Sequence, residues 1–302
     1  MSTKDCVSLP ETALVTLWCR SREAMLDHGI IKDPMAIRLT GSIDYDFTKF
    51  SLAPRQDIAL RGLAFDNVIA DYLESHPRAT VVALGEGLQT SFWRLDAEPA
   101  AHGNEFRWLT VDLPEIAHMR QKYLPGSPRV STYAQSALDF SWMDRVDPQF
   151  GVFVSAEGLL PYLQRSDALN LIHECARRFP HGQMMFDLPA ANEGITRLAT
   201  AAYVAVLKAR WLVTGKHRQR RPTWPQTPFS LRKADLAHLA SKIPEIGGVR
   251  DVPLPQGRGM LFKFLWKIRR TRLYTPVRRI IGVKLTTIAT LTLVDFAPHS
   301  SS

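Results

Sequence analysis

The chain is poor in cysteine. Cys6, Cys19 and Cys175 are the only three in 302 residues, odd in number and far apart. That excludes a disulfide framework and a cysteine-based metal pattern, and it predicts a reducing, cytoplasmic setting. Long apolar runs are also missing, since none approaches the roughly 18–20 residues of a membrane span. The stretch from Met1 to Leu9 carries Lys4 and Asp5 with no apolar segment behind them, so no secretory signal is expected. There is no internal repeat and no low-complexity tract, which sets aside solenoids and linker-like architectures. What remains is 45% apolar, enough to bury one large α/β core with an appended cap.

Residues 80–112 organise the rest. Thr80 to Leu84 is a short β-branched and apolar run, followed by Gly85-Glu86-Gly87-Leu88-Gln89-Thr90. After a spacer, Arg107-Trp108-Leu109-Thr110-Val111-Asp112 is a second apolar run ending in an acid. A buried parallel strand, a glycine turn, a helix and a second strand give this order. It predicts the first βαβ unit of a doubly wound, mostly parallel sheet, with Asp112 placed to accept from two ribose hydroxyls. The third position of the dinucleotide fingerprint is Thr90 rather than Gly or Ala. Glu86 stands where a pyrophosphate would meet its negative charge. S-adenosylmethionine has no phosphate and carries a positive sulfonium, so the loop suits it better than NAD.

Along the chain, residues 10–28 predict an amphipathic helix carrying Leu14, Leu17, Trp18, Ser21 and Met25 at helical spacing, with Arg20 and Arg22 inside it and Gly29 stopping it. Asp33-Pro34 opens a short element, and 41–54 reads as a surface loop. A helix over about 54–76 has Ile58, Phe65, Ile69 and Tyr72 as its buried stripe, and Arg61 falls on that stripe. A buried guanidinium needs an anion, either an internal Asp or Glu or the carboxylate of a ligand. Further strands are predicted at 129–133, 150–156, 184–187 and 288–296, the last near a sheet edge, and 259–266 is another apolar run. Helices are predicted after Asp112-Leu113-Pro114-Glu115, from a Ser166 cap to Phe179, over 193–213, and over 229–242 with Ser230 as cap. The glycines, Asp112 and Glu157 thus all fall at carboxyl ends of strands, the edge where open α/β sheets bind ligands.

Taken together, Arg61, Leu84-Gly85-Glu86-Gly87-Leu88-Gln89-Thr90, Val111-Asp112-Leu113-Pro114-Glu115, Ser136-Ala137-Leu138-Asp139 and Ala156-Glu157-Gly158-Leu159-Leu160-Pro161-Tyr162 resemble the leucine carboxyl methyltransferase family. The nearer likeness is to its bacterial branch, which includes O-methyltransferases that tailor polyketides. The resemblance covers residues 10–190. It implies a class I, seven-stranded Rossmann-like fold that uses S-adenosylmethionine. By the same match Arg61 grips the methionine carboxylate, Gly85 and Gly87 lie under the cofactor and Asp112 binds the ribose. Ala137 and Leu138 flank the adenine, Glu157 lies near the amino end, and Arg20 (with Arg22 close by) matches a basic residue of the first helix. Residues 1–76 would be N-terminal helices forming part of the cofactor site and a cap, and 77–302 the core with a basic insertion at about 190–285. The family loop usually carries a small residue and then an Asp where this chain has Glu86 and Gln89. Glu86 is then expected to face the sulfonium or amino group, or solvent.

No side chain announces itself as a base. His173 and Glu174 read as surface residues of a helix. A carboxylate acceptor needs no base, whereas a phenol would benefit from one, so both remain open as small-molecule acceptors, free or carrier-bound. The net charge of +9 concentrates in Lys208, Arg210, Lys216, Arg218, Arg220 and Arg221, and again between Lys263 and Lys284. These runs read as a solvated face, as steering for an anionic substrate, or as a nucleic-acid or membrane surface of a non-catalytic module. Nucleic acid is not the expected partner, because the cofactor residues are intact. Protein carboxyl methylation is the other enzymatic alternative.

Overall fold

A computed structural model of the chain describes residues 11–50, 55–97, 105–188, 240–241, 243–258 and 290–298. Three helices open it: α1 (Glu11–Ala24), α2 (Pro34–Ser42) and α3 (Arg55–Ser75). Asp33 caps α2 by accepting from the Ala36 amide at 2.9 Å, with Pro34 in the first turn, where a missing N–H costs nothing. Ile58, Phe65, Ile69 and Tyr72 are all buried, as their spacing predicts. α1 stops at Ala24, four residues before its predicted end, and Met25 is therefore 52% exposed rather than packed. The 41–54 stretch is not merely a surface loop. It holds a 3-10 turn, Phe47–Phe50, whose Phe50 is buried and stacked on Tyr45.

The sheet follows: β1 (Thr80–Leu84), α4 (Ser91–Asp96), β2 (Arg107–Asp112), α5 (Pro114–Tyr123), β3 (Val130–Ala134), β4 (Val152–Ala156), α6 (Arg165–Arg178), β5 (Gln183–Leu188), β6 (Ile246–Val252) and β7 (Thr290–Phe296). Their order across the sheet is β3-β2-β1-β4-β5-β7-β6, and only β7 runs antiparallel. Sequence order reverses between β1 and β4, which creates the switch point at which such sheets hold ligands. β1 and β4 are buried along nearly their whole length, so their apolar runs do not alternate. One core lies on the face carrying Val82, Leu84, Val111, Val154 and Phe186, under α6. The other lies on the face carrying Val81, Ala83, Trp108 and Phe153, under α3.

Two further expectations are corrected by the structure. Ser166 does not cap α6: the helix begins at Arg165 after Gln164, which makes no side-chain cap, so Ser166 lies inside the first turn. The sixth strand is Ile246–Val252, inside the stretch expected as an insertion, where Gly247, Gly248, Arg250 and Asp251 hide its pattern. The apolar run 259–266, the predicted helix 193–213, most of the helix 229–242 with its Ser230 cap, and both basic runs lie outside the described residues. Among the described residues no helix is long and apolar enough to cross a membrane.

Candidate active site

The glycine loop sits between β1 and α4. Gly85 has φ +59° and Gly87 φ +62°, the left-handed region that disfavours side chains. A Cβ on Gly85 would also come within 2.9 Å of Leu159. Asp112, the last residue of β2, accepts from the Gly87 amide at 2.7 Å and from the Leu113 amide at 2.8 Å. Each carboxylate oxygen therefore keeps a lone pair. Burial raises the Asp112 carboxyl above its ordinary range, despite those two amides and Arg120.

Arg61 reaches the same edge from α3. Its Nε donates to Glu157 at 2.8 Å and its Nη1 to Asp187 at 2.9 Å. The internal ion pair that the buried stripe allowed is thus present, with Nη2 left over. Burial opposes the charge of Arg61, but Asp187 and then Glu157 more than restore it, and its pKa lies above the ordinary value. Asp187 also accepts from the Gly158 amide. The second oxygen of Glu157 accepts from Gln89 Nε2 at 2.6 Å. An Asp at 89 would set two carboxylates against each other, and the Gln supplies a donor instead.

Arg20 is completely buried. It contacts Asp33 at 3.4 Å and donates to the Leu88 carbonyl at 2.7 Å, bracing the loop from α1. Arg22 is exposed, so the choice between the two falls on Arg20. Burial lowers the Arg20 pKa more than Asp33 restores it. Ala137 is buried and Leu138 half-buried, just past β3 on the same edge, where Trp142 Nε1 donates to the Ala137 carbonyl at 3.1 Å. The structure therefore joins Arg61, Gly87, Asp112 and Glu157 through a short network, adds Arg20 behind the loop, and sets Ala137 and Leu138 beside it without a direct bond to the others.

Glu86 faces neither a ligand nor solvent. Its carboxylate turns inward, accepting from Thr110 Oγ1 at 2.5 Å and Trp108 Nε1 at 3.2 Å, and lies 3.0 Å from Arg120 Nη2. Burial raises its carboxyl above the ordinary range, although Arg120 opposes this. Sequence reasoning missed Arg120. It is buried on α5, and its Nη1 donates to the carbonyls of Gly87 (2.9 Å) and Gln89 (3.0 Å). Its signal was the spacing, four residues after the buried Ile116. Also missed was Arg94, which forks onto Asp66 at 2.6 and 3.0 Å and reaches Asp33 at 2.7 Å. Asp33 further accepts from Thr90 at 2.6 Å. Burial would raise the Asp33 carboxyl, but Arg94, Arg20 and Thr90 hold it below the ordinary range.

Arg20, Arg61, Arg94 and Arg120 thus face six carboxylates: Asp33, Asp66, Glu86, Asp112, Glu157 and Asp187. Among the described residues no cluster of His, Cys, Asp and Glu could hold a metal ion.

A polyketide O-methyltransferase of tetracenomycin synthesis from Streptomyces glaucescens is 29% identical over 179 residues, 59% of this chain and 64% of that protein. The S-adenosyl-L-methionine-dependent methyltransferase dpfgK of Gibberella zeae is 25% identical over 202 residues, 60% of this chain and 66% of that protein. The chain thus matches just under two thirds of the length of these curated relatives. Among solved structures, a DUF574 family protein of Streptomyces avermitilis shares the fold, with TM-score 0.51 at 13% identity, covering 95% of this chain and 97% of that one. The family model for leucine carboxyl methyltransferases matches residues 13–176, which include every side chain of the loop network except Asp187, so the chain belongs to the leucine carboxyl methyltransferase family.

Proposed function

We propose that this chain is an S-adenosylmethionine-dependent O-methyltransferase acting on a carboxylate or phenolic hydroxyl of a small molecule. The observation that carries the reading is the convergence of Asp112, the Gly85–Gly87 turn and the Arg61–Glu157 pair on one sheet edge at the switch point. A zwitterionic amino acid needs one fixed cation and one fixed anion, and Arg61 with Glu157 offers both. The surplus of carboxylates suits a ligand that also carries a sulfonium. Arg61 binds the methionine carboxylate through its spare N–H groups, Glu157 takes the amino end, and Asp112 takes the ribose hydroxyls with its free lone pairs. Ala137 and Leu138 flank the adenine. Arg20 and Arg120 hold the loop backbone, and the buried Nη1 of Arg20 keeps an N–H to spare at this edge.

The bound cofactor supplies an electrophilic methyl group, and the protein's own work is alignment and exclusion of water. The O-methyltransferase activity of the Streptomyces glaucescens relative favours oxygen as the acceptor. A carboxylate acceptor arrives ionised and needs no base. Incubation with methyl-labelled S-adenosylmethionine and a panel of aromatic acids and phenols tests the reading. Label in base-labile esters or base-stable ethers is expected. Label in neither, with every acceptor at saturation, would overturn small-molecule O-methylation.

A further inference from the structure

The opposite edge of the sheet carries a groove of its own. A space of about 540 Å³ opens at the amino ends of β2 and β3, against the 3-10 turns that precede β4. That volume is in the range of small-molecule sites. Four guanidiniums line it, Arg78, Arg107, Arg129 and Arg145, against only two carboxylates, Glu105 and Asp147. The rings of Tyr133 and Phe150 complete its wall.

These arginines are poorly neutralised. Neither Arg107 nor Arg145 has an ion-pair partner among the described residues. Arg78 meets Glu105 only at 3.7 Å and lies over the Phe150 ring at 3.8 Å. Arg129 pairs with Asp96 at 2.5 Å, yet its Nη1 is buried without an acceptor. On a convex surface, such charges would spread apart into water. Here they share one concavity, where their like charges add to a field that favours an anion. Guanidinium forks match the oxygens of phosphate, and the Tyr133 ring, with Arg145 only 6.0 Å from its centre, and the Phe150 ring give the groove flat, apolar walls beside them.

We propose that this groove is a second binding site, separate from the cofactor edge, for a phosphorylated small molecule with an aromatic or similarly flat body. Arg107 and Arg145 grip the phosphate, and Tyr133 and Phe150 hold the body. The site stands apart from the methyl-transfer reading, because the one residue it shares with the surroundings of the glycine loop is Trp108, which donates to Glu86 there.

Calorimetric titration of the whole chain with inorganic pyrophosphate and with 1-naphthyl phosphate, each with and without saturating S-adenosylhomocysteine, tests this. The two probes separate phosphate recognition from recognition of the body. Both should bind at one site, naphthyl phosphate the more tightly, at low salt and regardless of S-adenosylhomocysteine. Arg107→Ala/Arg145→Ala should weaken both by tenfold or more. Both arginines are exposed, so this variant should fold. Arg107→Lys/Arg145→Lys should recover part of the affinity. Arg22→Ala/Arg177→Ala, which removes equal charge elsewhere, should bind as the unaltered chain does. The proposal falls if neither probe saturates, if the double alanine variant binds unchanged, or if S-adenosylhomocysteine displaces the probes.

Discussion

Replacing Arg120 by Met should loosen the glycine loop without touching any residue assigned to the ligand. The side chain is buried, spans 2.9 and 3.0 Å to two loop carbonyls, and stands 3.0 Å from Glu86. Each bond from a charged donor is worth about 1.5–3 kcal/mol, and breaking a buried pair costs about 3–5 kcal/mol in all. These overlap, because Glu86 can escape its unpaired charge by taking up a proton. A loss of about 4 kcal/mol is therefore expected in urea unfolding near neutral pH. The companion Glu86→Gln/Arg120→Met removes the stranded charge and should recover about 2 kcal/mol, a coupling of that size being typical of one buried network. The pH dependence fixes the cause. With Arg120 gone, the folded-state pKa of Glu86 rises further above its unfolded value. The folded state then holds the extra proton, and stability falls as pH climbs from the unfolded pKa towards the folded one. The Gln double variant should lose that slope. A single-variant loss below about 1 kcal/mol, or strictly additive losses, would refute the reasoning.

Other perturbations follow from the structure. Asp57 has its carboxyl pushed up to about 6 by burial, above its unfolded value, so it lowers stability as pH rises from about 4 to about 6. Asp57→Asn should then stabilise the chain at neutral pH by about 1–2 kcal/mol, after allowance for partial solvent access, and change little near pH 4; a melting temperature unchanged at both pH values would contradict this. Gly85→Ala combines a positive φ with a Cβ 2.9 Å from Leu159, and should cost about 2 kcal/mol or more in chemical unfolding. Gln89→Asp, which sets a carboxylate against Glu157 in place of a 2.6 Å hydrogen bond, should destabilise the chain at neutral pH and partly recover in mild acid; equal stability at both would show that the Gln89–Glu157 bond does not matter. Cys19 and Cys175 are buried, with burial raising the Cys175 thiol, so neither should react with a thiol reagent until the chain is unfolded.

The readable parts of the sequence were those in which one local pattern answers one structural need. β1 and β4 announce themselves because strands buried on both faces must be continuously apolar. Arg61 stands out because it interrupts an apolar stripe, and Asp112 and Glu157 because acids end apolar strands. The long-range polar network was not readable. Asp33 reads as a helix cap and is one, yet it also accepts from Arg20, Arg94 and Thr90, three residues that no local period links to it. Glu86 was misassigned for the same reason: its direction is set by Thr110, Trp108 and Arg120, which only the folded sheet brings near. β6 was hidden by glycines and charges, because its partner β7 supplies the apolar character that β6 lacks.

The central claim is that this edge of the sheet binds S-adenosylmethionine through Asp112 and Arg61. Calorimetric titration of the purified chain with S-adenosylmethionine, beside Asp112→Ala and Arg61→Ala and with NAD as the competing cofactor, tests it most directly. The account predicts one-site binding in the micromolar range, no binding of NAD, and loss of tenfold or more in each variant that remains folded by circular dichroism. Binding of NAD in its place, or variants that bind S-adenosylmethionine as tightly as the unaltered chain, would contradict it.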